Sequence, residues 1–230
     1  MGDTRRSFLL TASATALLGA CRAESPEGPG AEKEVGATED LMREHGVIRR
    51  VLVVYREAAA RLRSDAGSVP PRALHQAATL IRTFGEDYHE KMLEEAYIFP
   101  VVEGAGAPSA AIIRALLAQH QRGREITAYV LTATQGEIRR ETAPALAATL
   151  EAFARMYEEH AAIEDTVVFP TWKSRLSGHD LEAMGERFED IEHRTFGKDG
   201  FESAVQQVAA LEKELGLDLA AFLPAPPPRG

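Results

Sequence analysis

Met156 to Pro170 reads M-Y-E-E-H-A-A-I-E-D-T-V-V-F-P. His160 and Glu164 stand four residues apart, which on a helix places one above the other on a single face. Phe153, Met156, Tyr157, Val167 and Val168 flank that side, so the imidazole and the carboxylate are expected to point toward a core. Burying an ionised carboxylate without partners costs on the order of several kcal/mol, and a metal ion would satisfy both groups. One such pair alone reads more readily as a core histidine beside an exposed glutamate. An echo elsewhere in the chain changes that balance.

The echo is Tyr88 to Pro100, Y-H-E-K-M-L-E-E-A-Y-I-F-P. Glu94-Glu95 to Phe99-Pro100 matches Glu164-Asp165 to Phe169-Pro170 at a constant offset of 70 residues. The shared pattern is E-[ED]-x-x-[IV]-F-P, with a histidine a turn or slightly more before it. Two copies of one ligand-bearing helix point to a pseudo-symmetric helical domain with a site between the copies.

Working outward, the apolar residues recur at helical spacing throughout. Leu41, His45, Ile48, Leu52 and Tyr55 form the stripe of a first helix that starts near Thr38 and stops before Gly67. Pro70-Pro71 opens a second, with Leu74, Ala77, Ile81, Phe84 and Tyr88 inward, which runs to Phe99-Pro100. A third begins at Pro108-Ser109 and is expected to bury Ile113, Leu116, Leu117, His120, Thr127 and Leu131. The fourth starts near Pro144, carries the quoted stretch and ends around Leu176. No segment alternates with period two. The predicted fold is all-α, an antiparallel up-down four-helix bundle over residues 38–216, with further C-terminal helices at about 179–196 and 200–215. Residues 217–230 are a Pro-rich tail.

The N-terminus reads as an export signal over residues 1–21. Thr4-Arg5-Arg6-Ser7-Phe8-Leu9-Leu10 is a twin-arginine pattern, and the apolar run after it is too short to span a bilayer. Leu18-Gly19-Ala20-Cys21 has the form of a lipobox, so Cys21 is the expected acylation site; an ordinary cleaved signal is the plainer alternative. Residues 22–37 read as a solvated tether. The expected location is periplasmic or extracytoplasmic, reached by the twin-arginine route, with a lipid anchor on the membrane. Cys21 is the only cysteine, which removes disulfides, thiolate–zinc sites and iron–sulfur clusters from consideration in the mature domain. A net charge of −9 without a basic patch argues against nucleic acid as a partner.

His45, His89, His120 and His160 occur once on each core helix, on or beside its apolar stripe. His193 lies on a fifth helix near Phe188 and Phe196, while His75 and His179 fall near a helix start and in a loop. Imidazole and carboxylate without thiolate favour iron, with manganese or zinc as alternatives. Five histidines and two glutamates able to bridge are enough for two ions.

With these residues in place, the chain resembles the hemerythrin-like (HHE cation-binding) family over about residues 38–200. The resemblance implies a non-haem di-iron centre, bridged by carboxylates and an oxo or hydroxo group, in an antiparallel four-helix bundle. It also implies His45, His89, Glu94, His120, His160 and Glu164 as ligands, with His193 as a further imidazole. One departure stands out. Glu94 is five residues from His89, a rotation of about 140° beyond a full turn on a regular helix. Either a single-turn π-bulge within about residues 88–95 restores the facing, or Glu90 replaces His89. The bulge is the reading that completes the four-helix histidine set.

Such a centre would bind a small ligand such as oxygen, nitric oxide or peroxide, or iron itself, and a binding protein is expected ahead of an enzyme. The alternative is a peroxidase or ferroxidase of ferritin-like type. That class uses two Glu-x-x-His motifs, and only Glu86 with His89 fits.

Overall fold

The computed structural model describes residues 35–197, 200–218 and 222–224. The export signal, Cys21, nearly all of the tether and most of the Pro-rich tail lie outside the described residues. Among the described residues there is no strand, and no helix is long and apolar enough to cross a membrane.

Helix α1 spans Ala37–Ser64, with Glu39 and Asp40 in its first turn and Arg61 and Arg63 in its last, each sign complementing the helix dipole. The second rod is one continuous helix of three registers: α2 (Pro71–Leu80), a π-helical stretch π1 (Ile81–Ile98) and α3 (Phe99–Glu103). Gly106, at φ 136°, makes the turn into α4 (Ala107–Ala133), a conformation that a side chain would oppose. The fourth rod repeats the second: α5 (Ala143–Ile163), π2 (Glu164–Val168) and α6 (Phe169–Ser174). Helix α7 (Gly178–Phe196) is capped by Ser177, whose hydroxyl accepts from the Asp180 amide, and α8 is Gly200–Glu214.

Short connections between long rods make sequence neighbours antiparallel. α1 lies along α5, α5 against α4, α4 against α2 and π1, and these against α1, so four rods close a ring. α8 covers α1 and α2, while α7 crosses α1 and π1. The core is aromatic at several levels: Trp172, Tyr55, Tyr88, Phe84, Phe153 and Phe169 are fully buried. Burying an apolar side chain of this kind is worth about 1.5–3 kcal/mol. Trp172 stacks on Phe188 at 5.8 Å and ties α6 to α7. The expected inward residues of the first two helices are all buried, but Leu117 and Val167 are exposed and Leu131 is half-buried. Leu117 follows Leu116 by one residue, a rotation of about 100° that carries it off the buried stripe.

The π geometry is more extensive than a single turn. It runs through Ile81–Ile98, and its last backbone bond is donated by Phe99 N–H to the Glu94 carbonyl, five residues back. Gly85 weakens the regular helix here, and the Thr83 hydroxyl competes for the Thr79 carbonyl at 3.0 Å. The second copy ends the same way, with Phe169 N–H donating to the Glu164 carbonyl. Each F-P pair therefore marks the return to α-helix. Pro100 and Pro170 fall in the first turn of α3 and α6, where a missing N–H costs least.

Candidate metal centre

Six side chains from the four rods converge on the bundle axis. π1 turns His89 and Glu94 onto one face, with His89 Nε2 3.3 Å from Glu94 Oε1. α4 brings His120 Nε2 to 3.4 Å from Glu94 Oε2. Glu94 thus stands between two imidazoles from different helices. Glu164 does the same: its Oε1 is 3.1 Å from His160 Nε2 and its Oε2 is 3.4 Å from His45 Nε2. The rings fall into two pairs, His45 beside His89 at 4.7 Å and His120 beside His160 at 4.8 Å between centroids.

Every ring is fixed through its other nitrogen. His45 Nδ1 meets Asp165 at 2.7 Å, His89 meets Glu44 at 2.6 Å, His120 meets Glu95 at 2.9 Å, and His160 meets the Gln119 side-chain oxygen at 2.8 Å. An acceptor at Nδ1 selects the Nδ1–H tautomer and leaves the Nε2 lone pair directed at the axis. Two arginines brace this outer ring, Arg49 on Asp165 and Arg124 on Glu95 at 2.6 Å. The phenylalanine of each F-P pair lies flat on one of the same rings, Phe169 on His45 and Phe99 on His120, both at 5.3 Å.

The repeated motif now has a chemical meaning at each position. Its first acid faces two imidazoles on the axis. Its second acid anchors an imidazole of the neighbouring helix, and its phenylalanine covers that same ring. Glu94, Glu95 and Phe99 act on His120; Glu164, Asp165 and Phe169 act on His45.

Electrostatics follow from this crowding. Burial pushes the His120 imidazole down, but its bonds to Glu94 and Glu95 outweigh that and raise it to about 10. His45 and His89 are also raised, against burial, by Asp165 with Glu164 and by Glu94 with Glu44. Burial pushes the Glu94 carboxyl up, yet His89 and His120 hold it well below the usual carboxylate range. The site therefore attracts positive charge strongly, and protons and metal ions compete for it.

The donor set fits a cation. Both oxygens of Glu94, both of Glu164 and the Nε2 of His89 are buried without a hydrogen-bond partner, a cost a coordinated ion removes. His120 Nε2 and His160 Nε2 lie 3.1 Å apart, and two lone pairs at that distance repel unless a cation sits between them. Glu94, His120, His160 and Glu164 can reach one ion, and His45, His89 and Glu94 another.

The hemerythrin HHE cation-binding domain model matches residues 36–172. The chain belongs to that family. Uncharacterized proteins of Mycobacterium bovis (strain ATCC BAA-935 / AF2122/97) and of Mycobacterium tuberculosis (strains CDC 1551 and H37Rv) are each 45% identical to it over 238 residues, covering 96% of this chain and 91% of theirs. No solved structure matches the chain.

Of the residues expected to form the HHE site, the fold gathers His45, His89, Glu94, His120, His160 and Glu164. His193 is a correction. It is exposed and approaches Glu189 at 3.8 Å, away from the axial cluster. Phe188, Ile191 and Glu192 form the buried face of α7, and His193 falls on the other side. Glu90 does not displace His89. It is buried, but it accepts from the Tyr157 hydroxyl at 2.6 Å and from Arg124 at 3.1 Å, behind the His120 ring. Four HHE-site residues were not anticipated: Glu44, Glu95, Gln119 and Asp165. A signal for two of them was present, because the acid is doubled in both repeats, as Glu94-Glu95 and Glu164-Asp165.

Proposed function

We propose that the protein holds two iron ions between its four core rods and binds a small ligand there, of the class of oxygen, nitric oxide or peroxide. The observation that carries this reading is the pair of carboxylates, Glu94 and Glu164. Each presents its two oxygens to imidazoles of opposite pairs and has no other partner, which is what a bridge between two ions requires. His45 and His89 would serve one ion, His120 and His160 the other. Bound there, an iron pair supplies redox-active Lewis acidity to a small ligand. The protein's own residues fix the imidazole tautomers, exclude bulk water through Phe99 and Phe169, and hold the Glu94 carboxylate ionised. Iron is favoured by the imidazole–carboxylate donor set without thiolate, with manganese or zinc as the alternatives.

A ferritin-type oxidase is less well supported. Glu86, the acid that would complete a Glu-x-x-His unit with His89, is instead engaged by Thr127 and by Arg82 at 2.8 Å. The full chain purified anaerobically should contain about two irons and develop visible absorption on exposure to oxygen that reverses when oxygen is removed. Sustained peroxide turnover well above that of free iron would replace the binding reading with the enzymatic one, and one iron or none would end the two-ion reading.

The proposal places this site at the cell envelope, exported by the twin-arginine route and lipid-anchored at Cys21. It rests on the Thr4–Leu10 and Leu18–Cys21 patterns. Palmitate labelling that persists in a Cys21→Ala variant would sink the anchor.

A further inference from the structure

The outer ring of hydrogen bonds obeys a pseudo-twofold relation between the halves of the bundle, and it breaks at one place. On one side His45 is followed four residues later by Arg49, which braces Asp165, the anchor of His45. On the other His120 is followed four residues later by Arg124, which braces Glu95, the anchor of His120. The residue before each of these histidines reaches across to the remaining ring of its own pair. Glu44, before His45, anchors His89; Gln119, before His120, anchors His160. In the first position the anchor is a carboxylate, and in the second a neutral amide.

A carboxylate behind an imidazole raises the basicity of the ligand nitrogen, and changing such an outer partner alters metal affinity about 10–100-fold. Glu44 is fully buried and its other partner is the neutral Tyr88 hydroxyl at 2.7 Å, so its charge bears on His89 in a low-dielectric setting. His160 receives no such push from Gln119. Glu90 adds an acid near the second pair, 3.8 Å from His120 Nδ1, but it is already engaged by Arg124 and Tyr157.

Building on the two-ion reading above, we propose that the two metal positions are inequivalent. The His45/His89 half fills first, and the Glu44-for-Gln119 exchange is the determinant. Glu44 and Gln119 act as positioning residues: neither faces the axis, and each works through the ring it holds.

Cobalt(II) titration of the metal-free full chain, followed by calorimetry and visible absorption, tests this. The expected result is two binding events whose affinities differ about 10–100-fold. Gln119→Glu, a change of similar size at a half-buried position, should tighten the second event toward the first and leave the first in place. Glu44→Gln should weaken the first event toward the second. Two events of equal affinity in the unchanged protein would overturn the proposal. So would a folded Gln119→Glu variant, checked by circular dichroism, whose second event does not move. Should Glu44→Gln fail to fold, the Gln119→Glu arm decides alone. Fewer than two cobalt ions per chain would overturn the two-ion reading and this proposal with it, an outcome distinct from two equal sites.

Discussion

His120 and His160 point their Nε2 atoms at each other across 3.1 Å while each Nδ1 is bonded outward. Among the described residues no other group donates to both lone pairs, so a proton or a metal ion must mediate the contact. The pairing couples ion binding to pH, and it does so with opposite signs in the metal-free and metal-loaded protein.

In the metal-free protein the His120 imidazole is raised from 6.5 to about 10. A raised imidazole contributes stability that is fully present below pH 6.5 and is lost as pH climbs toward 10. Glu94, lowered from 4.5, contributes stability present above pH 4.5 and lost at lower pH. Metal-free protein should therefore be most stable between about pH 4.5 and 6.5 and weaken steadily toward pH 10. The loaded protein should behave oppositely, because binding needs neutral imidazoles and releases protons. Melting temperatures of both forms across that range check this; parallel profiles would refute the coupling.

Replacing either axial acid should weaken binding at both positions of the proposed ion pair. Glu94→Ala and Glu164→Ala are each expected to reduce bound metal from about two ions per chain to one or none, measured by elemental analysis. Glu90→Gln should retain both ions and lose about 1 kcal/mol of stability, as the Tyr157 bond is weakened. Loss of metal in Glu90→Gln equal to that in Glu94→Ala would mean that the acid before the wide turn is a ligand after all.

His193→Ala should be silent. The ring is exposed and its ion-pair contact with Glu189 is long, at 3.8 Å, so metal content should not change and stability should move by no more than about 0.5 kcal/mol. His75→Ala should leave metal content alone as well, since that ring is committed to the Thr134 hydroxyl at 3.0 Å.

Gly123→Ala should destabilise, against the helix propensity gain of about 1 kcal/mol that alanine brings. A Cβ at this position would lie 2.1 Å from the Tyr157 hydroxyl oxygen and 2.9 Å from the ring carbon bearing it. Overpacking of this kind costs about 1–3 kcal/mol. Adding Tyr157→Phe should recover part of the loss, because it removes the closest contact but keeps the ring. Denaturant midpoints of the single and double variants measure the effect, and a stabilised Gly123→Ala would show that the α4–α5 contact yields freely.

Much of this centre could be read from the chain because a helix face is a simple code. A histidine on each apolar stripe, and a repeated E-[ED]-x-x-[IV]-F-P, located all six axial residues. The five-residue interval from His89 to Glu94 pointed to a wide turn, with Glu90 in place of His89 as the alternative, since a regular helix would have separated the two. Its extent could not be foreseen: hydrogen-bond register through Ile81–Ile98 depends on competition among many carbonyls, not on one spacing. Glu44 and Gln119 stayed hidden for another reason. Each acts on a histidine of a different helix, 45 and 41 residues away, so its role exists only once the rods are packed. His193 misled because an amphipathic helix at the edge of a bundle has a wide boundary, and one residue of rotation separates buried Glu192 from the exposed ring.

All six axial side chains belong to rods, none to a loop, and none exposes more than 3% of its surface. A cation lodged among them can leave only when two rods part, an opening that approaches global unfolding in its free energy. Its residence time is then set by how often the bundle breathes, not by the strength of ligand bonds at any instant. A chelator in solution would compete with an event it cannot accelerate. Metal already in place is therefore exchanged slowly, on the timescale of bundle opening.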